Sequence, residues 1–183
     1  MWLKSLLGAS MVAVLCLQSS ACVPPEEPPA APACTHETPL KPGVPGSPGH
    51  LIASPANPNG QSELAHLMRA MLHDMQDRRD ALRQGKTPAP LKDFTKMKCA
   101  WPTADGTRSA HFDRMADVML ATVSEFNQDT TSSVAFNQVV GSCLACHQTA
   151  CPGPMAAIRP LHWSPESKPL PDPEVESCAA PIP

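Results

Sequence analysis

Two cysteines and a histidine late in the chain have a spacing that suits covalent chemistry. Cys143, Cys146 and His147 stand at positions i, i+3 and i+4 of the segment CLACHQTACPGP. On a helix these positions share one face. Two thiols on such a face can add to the vinyl groups of a porphyrin while the adjacent imidazole binds its iron, and C-x-x-C-H is the spacing of c-type haem attachment. We therefore predict one covalent haem c, with His147 as the proximal iron ligand.

Two other uses of this spacing fit the sequence less well. A structural zinc site takes four ligands, which usually come from a second Cys or His pair, and the remaining histidines are scattered along the chain. A thioredoxin-like redox motif belongs to a strand–helix context, whereas this motif lies late in a helical pattern.

The first 21 residues have the pattern of an export signal. Lys4 precedes an apolar run from Leu6 to Leu17, and small residues follow up to Ala21; the run is too short to span a bilayer comfortably. We expect an exported, periplasmic protein whose remaining cysteines meet an oxidising compartment. Two outcomes stay open at Cys22: an ordinary cleavage before it, or a signal that resembles those of bacterial lipoproteins, in which a lipidated Cys22 would attach the chain to a membrane.

Composition excludes some classes of function. There are 14 Lys and Arg residues against 17 Asp and Glu residues, with no basic stripe, so we expect no nucleic-acid partner. No Ser-His-Asp or paired-carboxylate pattern suggests a hydrolase. Aromatic residues make up 4% of the chain, and since aromatic rings supply much of the area of ordinary cores, a bulky cofactor could fill the space.

Proline marks the predicted domain boundaries. Residues 22–60 are predicted to be a semi-extended tether, because the stretch 23–60 holds eleven prolines. Residues 164–183 are predicted to be a second Pro-rich segment, a disordered tail. The folded domain is then 61–163.

Helical periodicity dominates this domain. Ser62 is the predicted N-cap of a first helix that Gly85 ends. The later apolar stripes begin at Leu91, at Phe112 and, after a start near Thr131 or Ser132, at Phe136. Four helical segments with short connections predict an all-α fold, an antiparallel four-helix bundle.

These features together resemble the class II cytochromes c, the cytochrome c′ and c-556 group. The likeness rests on the late C-x-x-C-H, on Leu67-Met68-Arg69 in the first helix, and on the Cys-Pro-Gly-Pro that ends at Pro154. It covers about residues 61–163, and it departs from cytochrome c′ where Cys-Pro-Gly-Pro interrupts the last helix. The resemblance implies a haem attached by the C-terminal helix and held inside a four-helix bundle.

The sixth position of the iron would decide the chemistry. In the resembled group a side chain of the first helix approaches this position. At about 100° per residue, Met68, Met71 and Met75 share one face, whereas His66 and His73 point away from it. We expect Met71 or Met68 to be the candidate sixth ligand, with core packing as the alternative role of each.

Apart from the haem motif, the export signal and Cys22, four cysteines remain, which is an even number: Cys34, Cys99, Cys151 and Cys178. Four cysteines can pair as disulfides in three ways. We expect the pairing that contains a Cys99–Cys151 disulfide, with a free Cys151 thiol as the alternative. Four arginines, at positions 69, 78, 79 and 159, are candidates for pairing with haem propionates, with a surface role as the default.

The function expected from these features is single-electron transfer between periplasmic or membrane redox proteins. Two alternatives are a five-coordinate haem module that binds or senses NO or CO, and a haem enzyme. The latter would need a distal acid–base residue, and the first-helix stripe offers only Leu and Met.

Overall fold

A computed structural model of the chain describes residues 34–150 and 152–164. The expected signal, Cys22, Cys151 and the tail beyond Ser164 lie outside this range. The described chain is mostly helical with one small sheet, so the helical fold class is confirmed. In order, its elements are strands β1 (Ile52–Ser54) and β2 (Asn57–Gln61), helix α1 (Glu63–Arg83), a 3-10 turn (Thr95–Cys99), and helices α2 (Ala110–Gln128), α3 (Ser133–Ala150) and α4 (Met155–Ile158), the last continued by a 3-10 turn (Arg159–Leu161). Within the described ranges, no helix has the length and apolarity needed to cross a membrane.

Helix α1 begins and ends where the sequence indicates. The Ser62 side chain accepts a hydrogen bond from the Ala65 backbone N–H, 3.2 Å away, and thereby satisfies a donor at the open end of the helix. At the other end Gly85 adopts a φ of 65°, a left-handed conformation that glycine tolerates best. Both predicted boundaries of the first helix are confirmed.

Helices α2 and α3 pack directly against each other, whereas the backbone of α1 makes few close approaches to either. Phe126 of α2 and Phe136 of α3 are fully buried and meet edge to face, with ring centroids 5.7 Å apart. The space between α1 and the α2–α3 pair is filled by side chains, among them the buried Met71 and Met75.

The second predicted helix does not form. Only the 3-10 turn Thr95–Cys99 is helical there, although Leu91, Phe94 and Met97 are buried as their pattern indicated. Pro88 and Pro90 interrupt the backbone donors that a helix needs. Side chains replace those bonds: Asn127 bonds both the N–H and the C=O of Leu91, and Asp74 accepts from the Lys92 N–H.

The stretch expected to be a tether is folded onto the helices over its described part, 34–60. Strands β1 and β2 pair antiparallel, Ile52 with Gln61 and Ser54 with Asn57. The Glu63 N–H donates to the Gly46 carbonyl, and a side chain on Gly46 would collide with Glu63. The boundary predicted at residue 60 therefore falls inside the folded unit, because proline and glycine here form turns against the protein rather than a free linker.

Cys99 forms a disulfide with Cys34, so the expected Cys99–Cys151 pairing is wrong. The two Cα atoms lie 5.6 Å apart and the bond closes a sequence separation of 65 residues. Arg108 reinforces the same connection by donating to the carbonyls of Thr35 and Thr38. This pairing was not predicted because the Pro-rich composition around Cys34 indicates a free tether.

A partly buried contact between His36 and Asp113 adds to this N-terminal attachment. Asp113 of α2 accepts hydrogen bonds from the backbone N–H of His36, at 2.8 Å, and contacts its ring nitrogen Nδ1 at 2.7 Å. Burial opposes ionisation of this carboxyl, but the His36 hydrogen bonds, with the nearby charges of His36 and Lys98, hold the pKa of Asp113 below its ordinary value.

We predict that Asp113→Asn destabilises the folded chain by about 1.5 kcal/mol at pH 7, because it removes the charge from these hydrogen bonds. A carboxyl whose pKa is lowered on folding stabilises the fold above its unfolded pKa. The loss should therefore be present at neutral pH and should shrink as the pH falls from about 3.8, the ordinary pKa of this carboxyl, through its lower pKa in the folded chain. Urea unfolding between pH 3 and 7 measures it, with exposed Asp77→Asn as the control; an equal, pH-independent loss in both variants would contradict the assignment.

Candidate haem-binding site

Helix α3 carries the whole C-x-x-C-H motif and presents it on one face. Cys143, Cys146 and His147 are all partly buried, and both cysteines are free thiols. The side chain of Ser132 accepts from the Ala135 N–H and fixes the start of the helix. Buried Val139 and Val140, one turn earlier, hold it against the core. The predicted helical placement of the motif is thus observed.

The motif faces a pocket formed largely by methionine. Cys143, Cys146 and His147 share it with Ala116 and five methionines, which are Met68, Met71, Met97, Met115 and Met119. These side chains come from α1, from the 3-10 turn and from α2. Three separate parts of the fold therefore direct thioethers at the motif.

The predicted face of α1 is only partly directed at this pocket. Met68 and Met71 line it, whereas Met75, although 1% exposed, is buried in the core elsewhere. His66 and His73 are exposed on the opposite side of the helix, as the helical arithmetic indicated. Of the three stripe methionines, Met68 and Met71 are thus the ones placed beside His147.

A larger cleft adjoins the methionine pocket. It has a volume of about 370 Å³ and is lined by the loop 104–107, by the start of α2 and by Cys146 and Ala150 of α3. Met115 and Cys146 border both spaces, and the methionine pocket itself measures about 20 Å³. Cofactor cavities typically measure about 300–1,000 Å³, so the cleft is of suitable size, and the inner thioethers must rotate for a macrocycle to extend under them. Methionine allows this because it has three rotatable side-chain bonds.

The thiols are held in their neutral form. Burial, with a smaller contribution from neighbouring Cys146, raises the pKa of Cys143 to about 11, and burial also raises the pKa of Cys146. Thioredoxin-like redox cysteines have lowered pKa values, since the thiolate is their nucleophile. The electrostatics here are opposite to those of a dithiol redox site.

Zinc binding receives no support from the described part of the chain. Among residues 34–150 and 152–164, no three His, Cys, Asp or Glu side chains are grouped so that they could hold a metal ion. Haem attachment does not require such a group of metal ligands, because the thiols bind the porphyrin and only the imidazole binds iron. The donor set and the apolar lining therefore fit a covalent haem.

Three of the four candidate arginines are engaged elsewhere. Arg69 donates to the Gln61 side chain, Arg78 bonds Asp74 and the carbonyls of Ala89 and Pro90, and Arg79 bonds Asp80 and the Pro160 carbonyl. Arg159 is exposed. None of the four lines the cleft, whose polar side chains include Asp105, Thr107, Ser109 and His111.

Met97, Met115 and Met119 were not predicted as site residues. Met115 and Met119 belong to one helical stripe, since i and i+4 share a face, but a stripe alone does not distinguish core packing from a site. Met97 belongs to the apolar pattern that begins at Leu91, which indicated burial and not a site. The loop 104–107, which forms the outer wall of the cleft, gave no signal in the sequence.

Comparison with known proteins adds no family. No protein-family model, no curated protein and no solved structure matches the chain.

We predict that the haem-free chain alkylates slowly at Cys143. Because the thiolate is the reactive form and the pKa of this thiol is about 11, its iodoacetamide rate should rise about tenfold per pH unit from pH 8 to pH 10. Peptide mapping after timed alkylation measures the rate. The same chain in urea provides the control, because its exposed thiols should level off near the ordinary pKa of 9.0; a folded-state plateau at pH 9 would contradict the burial effect.

Proposed function

We propose that this protein is an exported monohaem cytochrome c that transfers single electrons between periplasmic or membrane redox proteins. The observation that carries the proposal is the shared face of α3, on which two free thiols and an imidazole meet a pocket of thioethers. In this proposal Cys143 and Cys146 form the thioether bonds, each S–H adding across one vinyl group, and His147 binds the iron. The bound iron would supply the redox chemistry by alternating between its ferric and ferrous states.

The chain's own residues would set the properties of that iron. A methionine sixth ligand raises the reduction potential and favours electron transfer, and Met68 and Met71 line the pocket beside His147. The other methionines and Ala116 keep the surroundings apolar, which limits solvent access and further tunes the potential. None of the nine residues that line the pocket is a carboxylic acid.

The proposed architecture is a class II cytochrome c bundle in which the motif of α3, with Met68 and Met71 of α1 beside it, would hold the haem. The separation of α1 from the tightly packed α2–α3 pair supports it, because a macrocycle needs space between helices. The segment from Leu91 to Cys99 and its 3-10 turn would stand where the resembled family has its second helix.

We predict that the mature chain carries one haem and that the motif residues hold it. Co-expression with a c-type maturation system should give a protein whose mass exceeds that of the polypeptide by one haem and whose pyridine haemochrome spectrum is of the c type. Cys143→Ala and Cys146→Ala should each lose one thioether bond, and His147→Ala should lose attachment. The control is His162→Ala, since His162 is exposed and outside the pocket; a colourless wild-type product with the unmodified mass would exclude a cytochrome.

We predict that one of Met68→Leu and Met71→Leu abolishes the near-infrared methionine–ferric band, because leucine keeps the volume and removes the sulfur ligand. The same variant should lower the midpoint potential. Met75→Leu is the matched control, being buried on the same helix but outside the pocket. A wild-type protein that lacks the band and binds CO or NO readily in the ferrous form would instead establish a five-coordinate gas-binding module.

A further inference from the structure

The methionine pocket has features that haem attachment alone does not require. A methionine-ligated iron needs one thioether, yet five line this pocket, together with two thiols and an imidazole. Of the nine methionines in the chain, more than half are therefore collected at one point of the fold. Of the methionines in the core of the described chain, all but Met75 line this pocket.

The chemistry of the lining selects one kind of ligand. Thioether and thiol sulfur are soft donors that select monovalent copper, whereas carboxylate and carbonyl oxygens suit magnesium, calcium and manganese. The lining contains no carboxylate and no hydroxyl. Thioethers are also neutral and lose no proton on binding, so a singly charged ion is better matched to them than a divalent one.

The size of the pocket agrees with a single ion. It measures about 20 Å³, and roughly 10–15 Å³ suffices to hold one water molecule. A macrocycle is far larger than this space, whereas a single ion is comparable to it. The folded chain without haem thus presents a small, partly open space lined mainly by sulfur-containing side chains.

We propose that the haem-free form of this protein binds one Cu(I) ion in the methionine pocket, through the thioethers of Met97, Met115 and Met119 together with those of α1. The ion enters already reduced and keeps its oxidation state, so the step is coordination only. Because a copper ion in this pocket occupies the space beside Cys143, Cys146 and His147, copper and haem exclude each other. The copper site does not depend on the haem proposal, since it concerns the chain before any attachment.

Anaerobic competition with bicinchoninate, with ascorbate keeping copper monovalent, tests the site on the full-length haem-free chain. We expect one Cu(I) per chain, and in the triple variant Met97→Leu/Met115→Leu/Met119→Leu we expect an affinity at least about tenfold weaker. Leucine conserves side-chain volume, and circular dichroism verifies that the variant is folded. Met75→Leu, a buried methionine outside the pocket, should bind within about twofold of wild type.

A second variant separates the thioethers from the thiols. Cys143→Ser/Cys146→Ser removes both thiols of the motif and should still bind one Cu(I), with sulfur remaining in the first shell of its X-ray absorption spectrum. Loss of all binding in this variant would overturn the proposal, because the thiols would then be the ligands. So would full affinity in the triple variant, or equal weakening by Met75→Leu. Haem attachment is read separately on the matured protein, so failure of one proposal leaves the other standing.

Discussion

The spacing between α1 and the α2–α3 pair is the constraint on which the site depends. Phe126 and Phe136 bring α2 and α3 into direct contact, whereas α1 is kept farther away and meets them through long side chains. If α1 packed as closely as α2 does, Cys143 and His147 would be covered by backbone. Because it does not, methionine side chains from α1, from the 3-10 turn and from α2 lie beside the motif.

The N-terminal segment and the 3-10 turn Thr95–Cys99 hold residues that line the methionine pocket in place. Met97, which lines the pocket, lies two residues before Cys99, and Cys99 is joined to Cys34. Asp113, bonded to His36, lies two residues before Met115 on α2. The part of the chain that reads as a linker thus stabilises residues on two sides of the pocket, and its removal would loosen both.

The sequence predicted the features that depend on local pattern. The start of α1 at Ser62, its end at Gly85 and the common face of Cys143, Cys146 and His147 follow from capping preferences and helical geometry. Features that depend on distant partners were not predictable in this way. The segment after Pro90 looks helical by its apolar spacing, but Asn127, 36 residues away, takes its hydrogen bonds. Likewise, nothing near Cys34 indicates that Cys99 is its partner, and nothing near Met97 indicates that it meets α3.

The positions of Cys34 and Cys99 in the sequence affect when their disulfide can form. Both of these cysteines precede position 143, so in a polypeptide delivered N-terminus first they are available to each other before the later pair emerges. Early closure of this bond would remove the thiols most able to trap Cys143 or Cys146 in a wrong linkage. In an oxidising compartment, the sequence order of the cysteines would thereby favour the reduced state that the proposed haem attachment would require of the later pair.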